Sequence, residues 1–587
     1  MKTDYITPDN INNLHELFKA RVQRTPDKIA YQYYDNVKNR WCSITWAECS
    51  QRVNRIRGAL SQESLLTGDK VAILSSNSLT WILFEQACLA CGFIVVPLYA
   101  DDRAENICYI LNDSDVSLLL IEKKSHWQTL QPHQKKLKQL KHIISIEPVN
   151  NTRNKQLINY DEWLSSRPYT SSVTGTSVQP DDIATIVYTS GTTGKPKGVM
   201  LSHNNIIQNA WAGVNSISIY PDDHFLSFLP LSHMLERTIG YYLPMLSGAS
   251  VSFCRSIADL ANDLISQNPS VIISVPRIFE RVHGKVEHAI SEKPFFIRML
   301  FHYAIDTSWE YFRYTQGKRG WKPSFLFHGI FEQLFFKKIK SKFGSRYRFA
   351  ISGGAPLNFS IAKFFISMGI NIAQGYGLTE TSPVISVNRL EDNDPESVGE
   401  PLPGVQVKIT EHQELIIKSA TIMSGYWNNT RATSEIIDSE GWLHTGDKAE
   451  IRNNKIYITG RLKDIIVLSN GEKVPPVPLE QAILKDSVFE NAIVIGEQRP
   501  YLIALVVPNK SVLDKYKNNY HDLEELLHMR VKSSMKDFPG YMHINRIAIC
   551  KTPWSIENGL LTPTLKPRKQ SIIDTYSDLI EKLYEGH

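Results

Sequence analysis

Short apolar, β-branched runs alternate along most of the chain with stretches of helical period, the pattern of layered α/β folds. Val71 to Leu74 predicts a strand, Leu79 to Cys91 a helix, and Phe93 to Val96 the next strand. Ile183 to Tyr188 has the composition of a buried strand and runs directly into a Gly/Thr/Ser cluster. Arg348 to Ile351 repeats the arrangement: a strand entering Gly353-Gly354, then the helix-like FSIAKFFISMG and the strand and loop INIAQGYG. Both places put a polar loop at the C-terminal end of a strand, where α/β sheets usually bind ligands. From Val398 to Ile458 the pattern changes to short strands and turns, which predicts a β-rich subdomain. After Gly460 a stretch with its own strands, Ala492 to Ile495 and Leu502 to Val507, and an amphipathic terminal helix is long enough for a separate small domain. The expected fold is therefore α/β: a large N-terminal domain of layered α/β subdomains over 1–459, β-rich over about 398–459, and a C-terminal α+β domain over 460–587.

Composition adds exclusions. With 42% hydrophobic and 21% charged residues, the chain is neither disordered nor collagen-like. Its seven cysteines are an odd set without framework spacing, as where thiols stay reduced. Cys88 and Cys91 form a CxxC, but no second pair or histidine follows at zinc-like spacing, so they read as core positions. The start, MKTDYITPDNINNLHELF, lacks the apolar core of a secretory signal, and export is not expected. The most apolar window, Trp81 to Ala100, is interrupted by Glu85, Gln86 and Pro97 and makes a poor membrane span. The expected compartment is the cytoplasm.

A formal charge of +5 over 587 residues implies no nucleic-acid partner. That charge is unevenly placed. Residues 281–350 carry fourteen Lys/Arg against five Asp/Glu, together with seventeen aromatic residues. Two readings stay open: a helical insertion that packs its aromatics inward, or a patch in peripheral contact with an anionic lipid surface at the cytoplasmic membrane face.

The stretch YTSGTTGKPKG, Tyr188 to Gly198, carries the strongest chemical signal. A nucleotide triphosphate requires clustered hydrogen-bond donors, a backbone that can approach without clashes, and positive charge. Gly191, Gly194 and Gly198 supply close backbone, Thr189, Ser190, Thr192 and Thr193 supply hydroxyls, and Lys195 and Lys197 supply charge. It is not a Walker loop: the glycine spacing fails, and Pro196 stands where Ser/Thr would bind magnesium.

This loop resembles the signature of the AMP-forming adenylating enzymes, the superfamily of acyl-CoA synthetases, peptide-synthetase adenylation domains and firefly luciferase. Six further motifs follow in the family's order: FLPLSHMLER from Phe228, SGGAP from Ser352, QGYGLTE from Gln374, WLHTGD from Trp442, GRLKDIIVLSNGEKV from Gly460 and ENGLLTPTLK from Glu557. The resemblance spans essentially the whole chain. It implies ATP, Mg²⁺ and coenzyme A as cofactor and co-substrates, and a C-terminal domain that rotates between two half-reactions.

Residue by residue, the resemblance implies that the phosphate loop and Lys197 hold the β- and γ-phosphates and Glu380 holds the metal. Thr379 would donate to the α-phosphate. Tyr376, Gly377 and the turn Gly353-Gly354-Ala355-Pro356 would hold adenine, while Asp447 and Arg461 would hold the ribose. Judged by its surroundings alone, Asp447 reads as a turn residue. Lys566 would bridge carboxylate and α-phosphate, Lys463 would act as the hinge, and Gly471 would let the pantetheine arm pass. Trp211 and His233 are candidates for the acyl-pocket wall or for ordinary core.

The variants FLPLSHMLER, ISVPRIFERVHGKV and ENGLLTPTLKPR most resemble the long-chain fatty acyl-CoA synthetase branch. Lys418-Ser419, where the family usually has Arg-Gly, and the proline-rich Pro475 to Pro478 depart from the pattern. The expected activity is fatty acid:CoA ligation. An acyl-adenylate former that serves a carrier protein is the alternative, with no carrier domain expected behind residue 587, and a catalytically silent nucleotide-binding relative is a third reading.

Overall fold

The computed structural model describes residues 2–137, 139–150, 154–167, 177–189, 195–517, 519–562 and 566–585, except for the side chain of Lys463. The phosphate-loop residues Ser190, Gly191, Thr192, Thr193 and Gly194 lie outside the described residues.

Two large mixed sheets form the N-terminal lobe. One has nine strands around a parallel centre, in which His224–Ser227, Val271–Ser274, Phe349–Ser352 and Ile372–Gly377 are neighbours. The other has eight strands; there Lys70–Leu74, Ile94–Leu98 and Ile183–Thr189 run parallel, and Lys197–Ser202 returns antiparallel to Ile183–Thr189. These central strands are largely buried and rich in apolar residues because helices or the other sheet cover both faces. Helix Leu79–Ala90 is packed on all sides, with even Glu85 and Gln86 buried, so its sequence lacks the polar stripe of a surface helix. Cys88 and Cys91 are buried among its packing residues.

A four-stranded antiparallel sheet from Gln406–Ile409 to Lys455–Arg461 makes the β-rich unit. Beyond it the small lobe builds a three-stranded sheet of Phe489–Ile495, Leu502–Pro508 and Ile544–Ile549, faced by two separate apolar clusters. No helix among the described residues is long and apolar enough to cross a membrane.

One buried ion pair joins the layers of the large lobe. Arg237 and Glu85 are both fully buried, and Arg237 Nε donates to Glu85 Oε1 at 2.8 Å. Arg237 Nη1 also donates to Thr185 Oγ1 at 2.9 Å, whose hydroxyl donates to the Val95 carbonyl at 2.6 Å. Burial opposes the guanidinium charge, but Glu85 more than offsets it, so the Arg237 pKa is raised. Removing one member of such a pair strands a buried charge at a cost of about 3–5 kcal/mol, whereas replacing both by apolar groups costs far less. Arg237→Met should therefore lower the chemical-denaturation stability of the large lobe by about that amount, and Arg237→Met/Glu85→Leu by less. Equal losses in the single and double variants would show that the pair is not the cause.

Candidate active site

The site gathers at the C-terminal ends of the parallel strands in the nine-stranded sheet. After Phe349–Ser352 the chain turns through Gly353, whose N–H donates to the Ser274 carbonyl at 3.1 Å. A Cβ on Gly353 would lie 3.1 Å from a Leu235 methyl, and Gly354 has a φ of +79°, so the turn suits glycine at both positions. Gly354, Ala355 and Pro356 are exposed on the cleft side of that turn. Strand Ile372–Gly377 ends beside them. A Cβ on Gly377 would fall 1.9 Å from the Pro383 carbonyl oxygen, so only glycine fits against the returning strand Val384–Val387.

Tyr376 points from this strand toward the β-rich unit, where its hydroxyl donates to Asp447 Oδ2 at 2.5 Å. Burial, and then Asp447, raise the Tyr376 pKa well above its ordinary value. Asp447 is not a turn residue. It lies within strand Leu443–Arg452, directly opposite Arg461 on Lys455–Arg461, and cross-strand register brings Arg461 Nε to Asp447 Oδ1 at 2.9 Å. The local TGD sequence suggested a turn because glycine is common there; hydrogen bonding to the neighbouring strands prevails. The Asp447 side chain is only 4% exposed, while Arg461 opens to solvent.

Lys566 approaches this cluster from the small lobe. Its N–H donates to Thr562 Oγ1 at 3.0 Å and the Thr562 N–H donates to the Lys566 carbonyl at 2.8 Å, closing the base of the loop that presents it. Lys566 is exposed as a residue, yet desolvation by the protein around its amine and then Arg461 lower the amine pKa, with Asp447 acting oppositely. The lobes also meet where Arg277 approaches Glu490 at 3.8 Å and where a Cβ on Gly559 would lie 2.8 Å from the Arg103 guanidinium. On the opposite wall, His233 is held at about 4 by burial and secondarily by Lys566. Its Nδ1 accepts the Leu235 N–H at 3.2 Å, so near neutral pH the imidazole is uncharged, with its proton on Nε2.

A second constellation surrounds Glu380. Thr379 and Glu380 occupy a 3₁₀ turn whose backbone is pinned by Thr381, and Glu380 Oε1 accepts the Tyr426 hydroxyl at 2.8 Å. The Lys197 amine sits 5.0 Å from the centre of the Tyr426 ring. Lys197 begins the return strand opposite Thr189, so the hairpin sets where the phosphate loop leaves and re-enters the sheet. Tyr426 thus touches both a cation and a carboxylate. Sequence reasoning missed it because it belongs to none of the recognised motifs; only its place in a strand paired with Val199 reveals it. Lys195 instead extends over Tyr109, 5.4 Å from the ring centre.

The remaining predicted residues are more dispersed. Trp211 packs edge-on against Tyr5 at 6.2 Å on helix His203–Ser216. Lys463 falls in the 3₁₀ turn Leu462–Asp464 between the β-rich unit and the small lobe. Gly471, with a φ of +87°, tips an exposed hairpin of the small lobe, and among the described residues no recorded contact joins it to Asp447 or Lys566. Within the same motif as His233, Glu236 lies in the π-helix Glu236–Tyr242, fully enclosed. Burial pushes its carboxyl up to about 8, and neither carboxyl oxygen has a hydrogen-bond partner among the described residues.

Two family models match the chain: the AMP-binding enzyme over residues 18–427 and the AMP-binding enzyme C-terminal domain over 463–587. A long-chain-fatty-acid–CoA ligase of Mycobacterium bovis, FadD15, is 28% identical over 582 residues, covering 95% of each chain. A long-chain-fatty-acid–[acyl-carrier-protein] ligase of Arabidopsis thaliana, AEE15, is 26% identical and covers 97% of this chain and 86% of its own. Among solved structures, the anthranilate CoA ligase AuaEII in complex with anthranoyl-AMP superposes with a TM-score of 0.74 at 18% identity, over 97% of this chain and 98% of its own. That likeness shows the two-domain fold, a large α/β lobe and a smaller C-terminal one. The chain belongs to the AMP-binding, acyl-activating enzyme family. It binds ATP and forms an acyl-adenylate.

Two measurements follow from this geometry. Tyr426→Phe keeps the ring but removes the hydroxyl on Glu380, and should weaken Mg²⁺-ATP binding in calorimetry roughly ten- to a hundredfold, the worth of one hydrogen bond to a charged group. An unchanged Kd would separate Tyr426 from nucleotide binding. For Glu236 the sign is fixed by its raised folded pKa. From an ordinary 4.5 up to about 8 the folded state holds a proton that the unfolded state has lost, so stability falls as pH rises through that window. Glu236→Gln should flatten that decline in melting temperature; an identical pH profile in the variant would refute the assignment.

Proposed function

We propose that the protein activates a long-chain fatty acid and ligates it to coenzyme A. The observation that carries this reading is the Asp447–Arg461 pair, 2.9 Å apart, whose charges act on Lys566 of the small lobe, in a chain similar over its length to long-chain-fatty-acid–CoA ligases. In the first half-reaction the fatty carboxylate oxygen attacks the α-phosphorus of ATP and the bond to pyrophosphate breaks. Two anions must approach, so the groups around them must be cationic or donors.

In this reading Asp447 accepts the ribose hydroxyls, exchanging part of its hold on Tyr376, and Arg461 steadies the same sugar. Tyr376, Gly377 and the Gly353–Pro356 turn receive adenine; glycine at 353 and 377 lets the backbone there pack against Leu235 and Pro383 and hold its shape. Thr379 donates to the α-phosphate, and Lys197 with the loop 189–194 holds the departing phosphates. Glu380, with one oxygen taken by Tyr426, suits Mg²⁺, which commonly takes one protein carboxylate alongside phosphate oxygens and water. Bound there, the ion would neutralise charge on the leaving pyrophosphate.

Lys566 bridges the carboxylate and α-phosphate as charge accumulates, so its amine acts in the transition state. Rotation about Lys463 then withdraws Lys566 and brings in Gly471, whose side-chain-free, left-handed turn lets pantetheine pass. The thiolate attacks the acyl carbon and AMP departs. His233 and, farther out, Trp211 border the acyl chain; a neutral imidazole places no charge against it.

A second reading, transfer to an acyl carrier protein, is favoured by the similarity to the Arabidopsis carrier-protein ligase. One assay addresses both. AMP release from ATP with palmitate or oleate should require Mg²⁺ and be completed by coenzyme A; adenylate that accumulates with coenzyme A and discharges only to a carrier protein establishes the second reading. Lys566→Ala should slow adenylation about a hundredfold or more while thioester formation from supplied acyl-AMP stays within about threefold of the parent. Equal losses in both halves would remove Lys566 from its place.

A further inference from the structure

The insertion that leaves strand Val271–Ser274 and returns at Phe349–Ser352 carries the molecule's main unpartnered apolar surface. Among the described residues, 11 of the 23 exposed large hydrophobic side chains fall between Phe295 and Leu334. Helix Phe295–Thr315 buries Phe301, Ala304, Ile305 and Ser308 against the lobe and turns its first turns outward. Phe296, Met299 and Tyr303 recur there at intervals of three and four, on one face. Leu326, Ile330 and Leu334 follow at intervals of four on the next helical segments. These side chains are 52–73% exposed. The two rows meet: Tyr303 packs edge-on against Phe331 at 6.0 Å, and Phe327 lies 6.4 Å from the same ring.

Charge around this face is mostly positive, with Glu292, beside His288, at its edge. Lys293 and Arg298 flank the first row, and Lys337, Lys338 and Lys342 follow the second; all are exposed, and among the described residues none forms a salt bridge. The acids nearby are engaged: Asp306 pairs with Lys363 at 2.7 Å and Glu332 with Lys340 at 2.8 Å. No acidic residue occurs from 293 to 305 or from 311 to 331. An apolar face bordered by free cations complements a surface with acyl chains beneath anionic headgroups. A soluble protein partner would need matching acids around a dry patch, whereas a bilayer supplies both features at any orientation about its normal.

We propose that this face docks the enzyme on the surface of an anionic lipid bilayer, with Phe296, Tyr303, Leu326 and Ile330 entering the headgroup boundary and Lys337 and Lys338 contacting lipid phosphates. The docking does not depend on which acid or thiol the site uses, so its test is separate from that of the proposed function.

The full-length protein should co-sediment with phosphatidylcholine vesicles containing phosphatidylglycerol, bind pure phosphatidylcholine vesicles at least tenfold more weakly, and lose affinity as salt rises. Phe296→Ser/Leu326→Ser and, separately, Lys337→Glu/Lys338→Glu should each cut binding to the anionic vesicles about tenfold, with unchanged melting temperature, because all four side chains are exposed. Absence of vesicle binding at low salt overturns the proposal. Equal binding to both vesicle types, or binding indifferent to charge reversal, overturns the anionic-lipid assignment. A dimer in light scattering that Phe296→Ser/Leu326→Ser dissociates, without vesicle binding, assigns the face to a second copy instead.

Discussion

The large lobe depends on a charge that has no access to water. Arg237 sits between the two great sheets, held by Glu85 on the central helix and by Thr185 on strand Ile183–Thr189. That strand feeds the phosphate loop, and its Thr185 hydroxyl is bonded to the neighbouring strand at Val95. Desolvating a guanidinium is expensive, so the pair tolerates few alternative arrangements of the three elements around it. The pair thus fixes the spacing between the sheet that launches the phosphate loop and the segment that walls the nucleotide cleft.

The same short motif carries that constraint to the site. Four residues before Arg237, His233 faces Lys566; two before it, Leu235 fills the space a side chain on Gly353 would need. The π-helical winding from Glu236 to Tyr242 adds one residue per turn over an ordinary helix, and π segments of this kind recur at functional sites. A Cβ on Gly240 would lie 2.6 Å from Glu236 Oε1, so a small residue there lets the winding enclose the carboxyl. FLPLSHMLER therefore belongs to both core and cleft.

What the sequence made legible follows from how local each cause is. Strand Ile183–Thr189 and the glycine turn at Gly353 were readable because β-branched runs and sterically required glycines act over a few residues. The pairing of Asp447 with Arg461 was not, because it depends on the register of a hairpin whose two strands had to be aligned first. Tyr426 was invisible for a related reason: its hydroxyl matters only once a separate strand brings it beside Glu380 and Lys197. The basic aromatic segment divided between its two readings. Phe301, Phe325, Phe331, Phe336 and Phe343 pack inward, while the first turns of its long helix and the outer face of the next do not. Composition counts aromatics without saying which way each faces; only the contact with strands and helix Phe359–Ser367 decides.

The placement of the small lobe ties these threads to chemistry. Lys566 shares a cleft with Arg461 and Asp447, while Gly471, on the same lobe, tips a hairpin that makes no recorded contact with them among the described residues. In the proposed function two half-reactions use different groups from one lobe and so require two orientations of it. The turn Leu462–Asp464 is suited to that change: it directly follows Arg461, which is fixed to Asp447 by strand pairing and side chain alike. Rotation absorbed there would move Lys566 and leave the Asp447–Arg461 pair in place. In the orientation described here the Arg461 charge acts on the Lys566 amine, so two cations face the same side of the cleft, as the proposed approach of a carboxylate to a nucleotide phosphate demands.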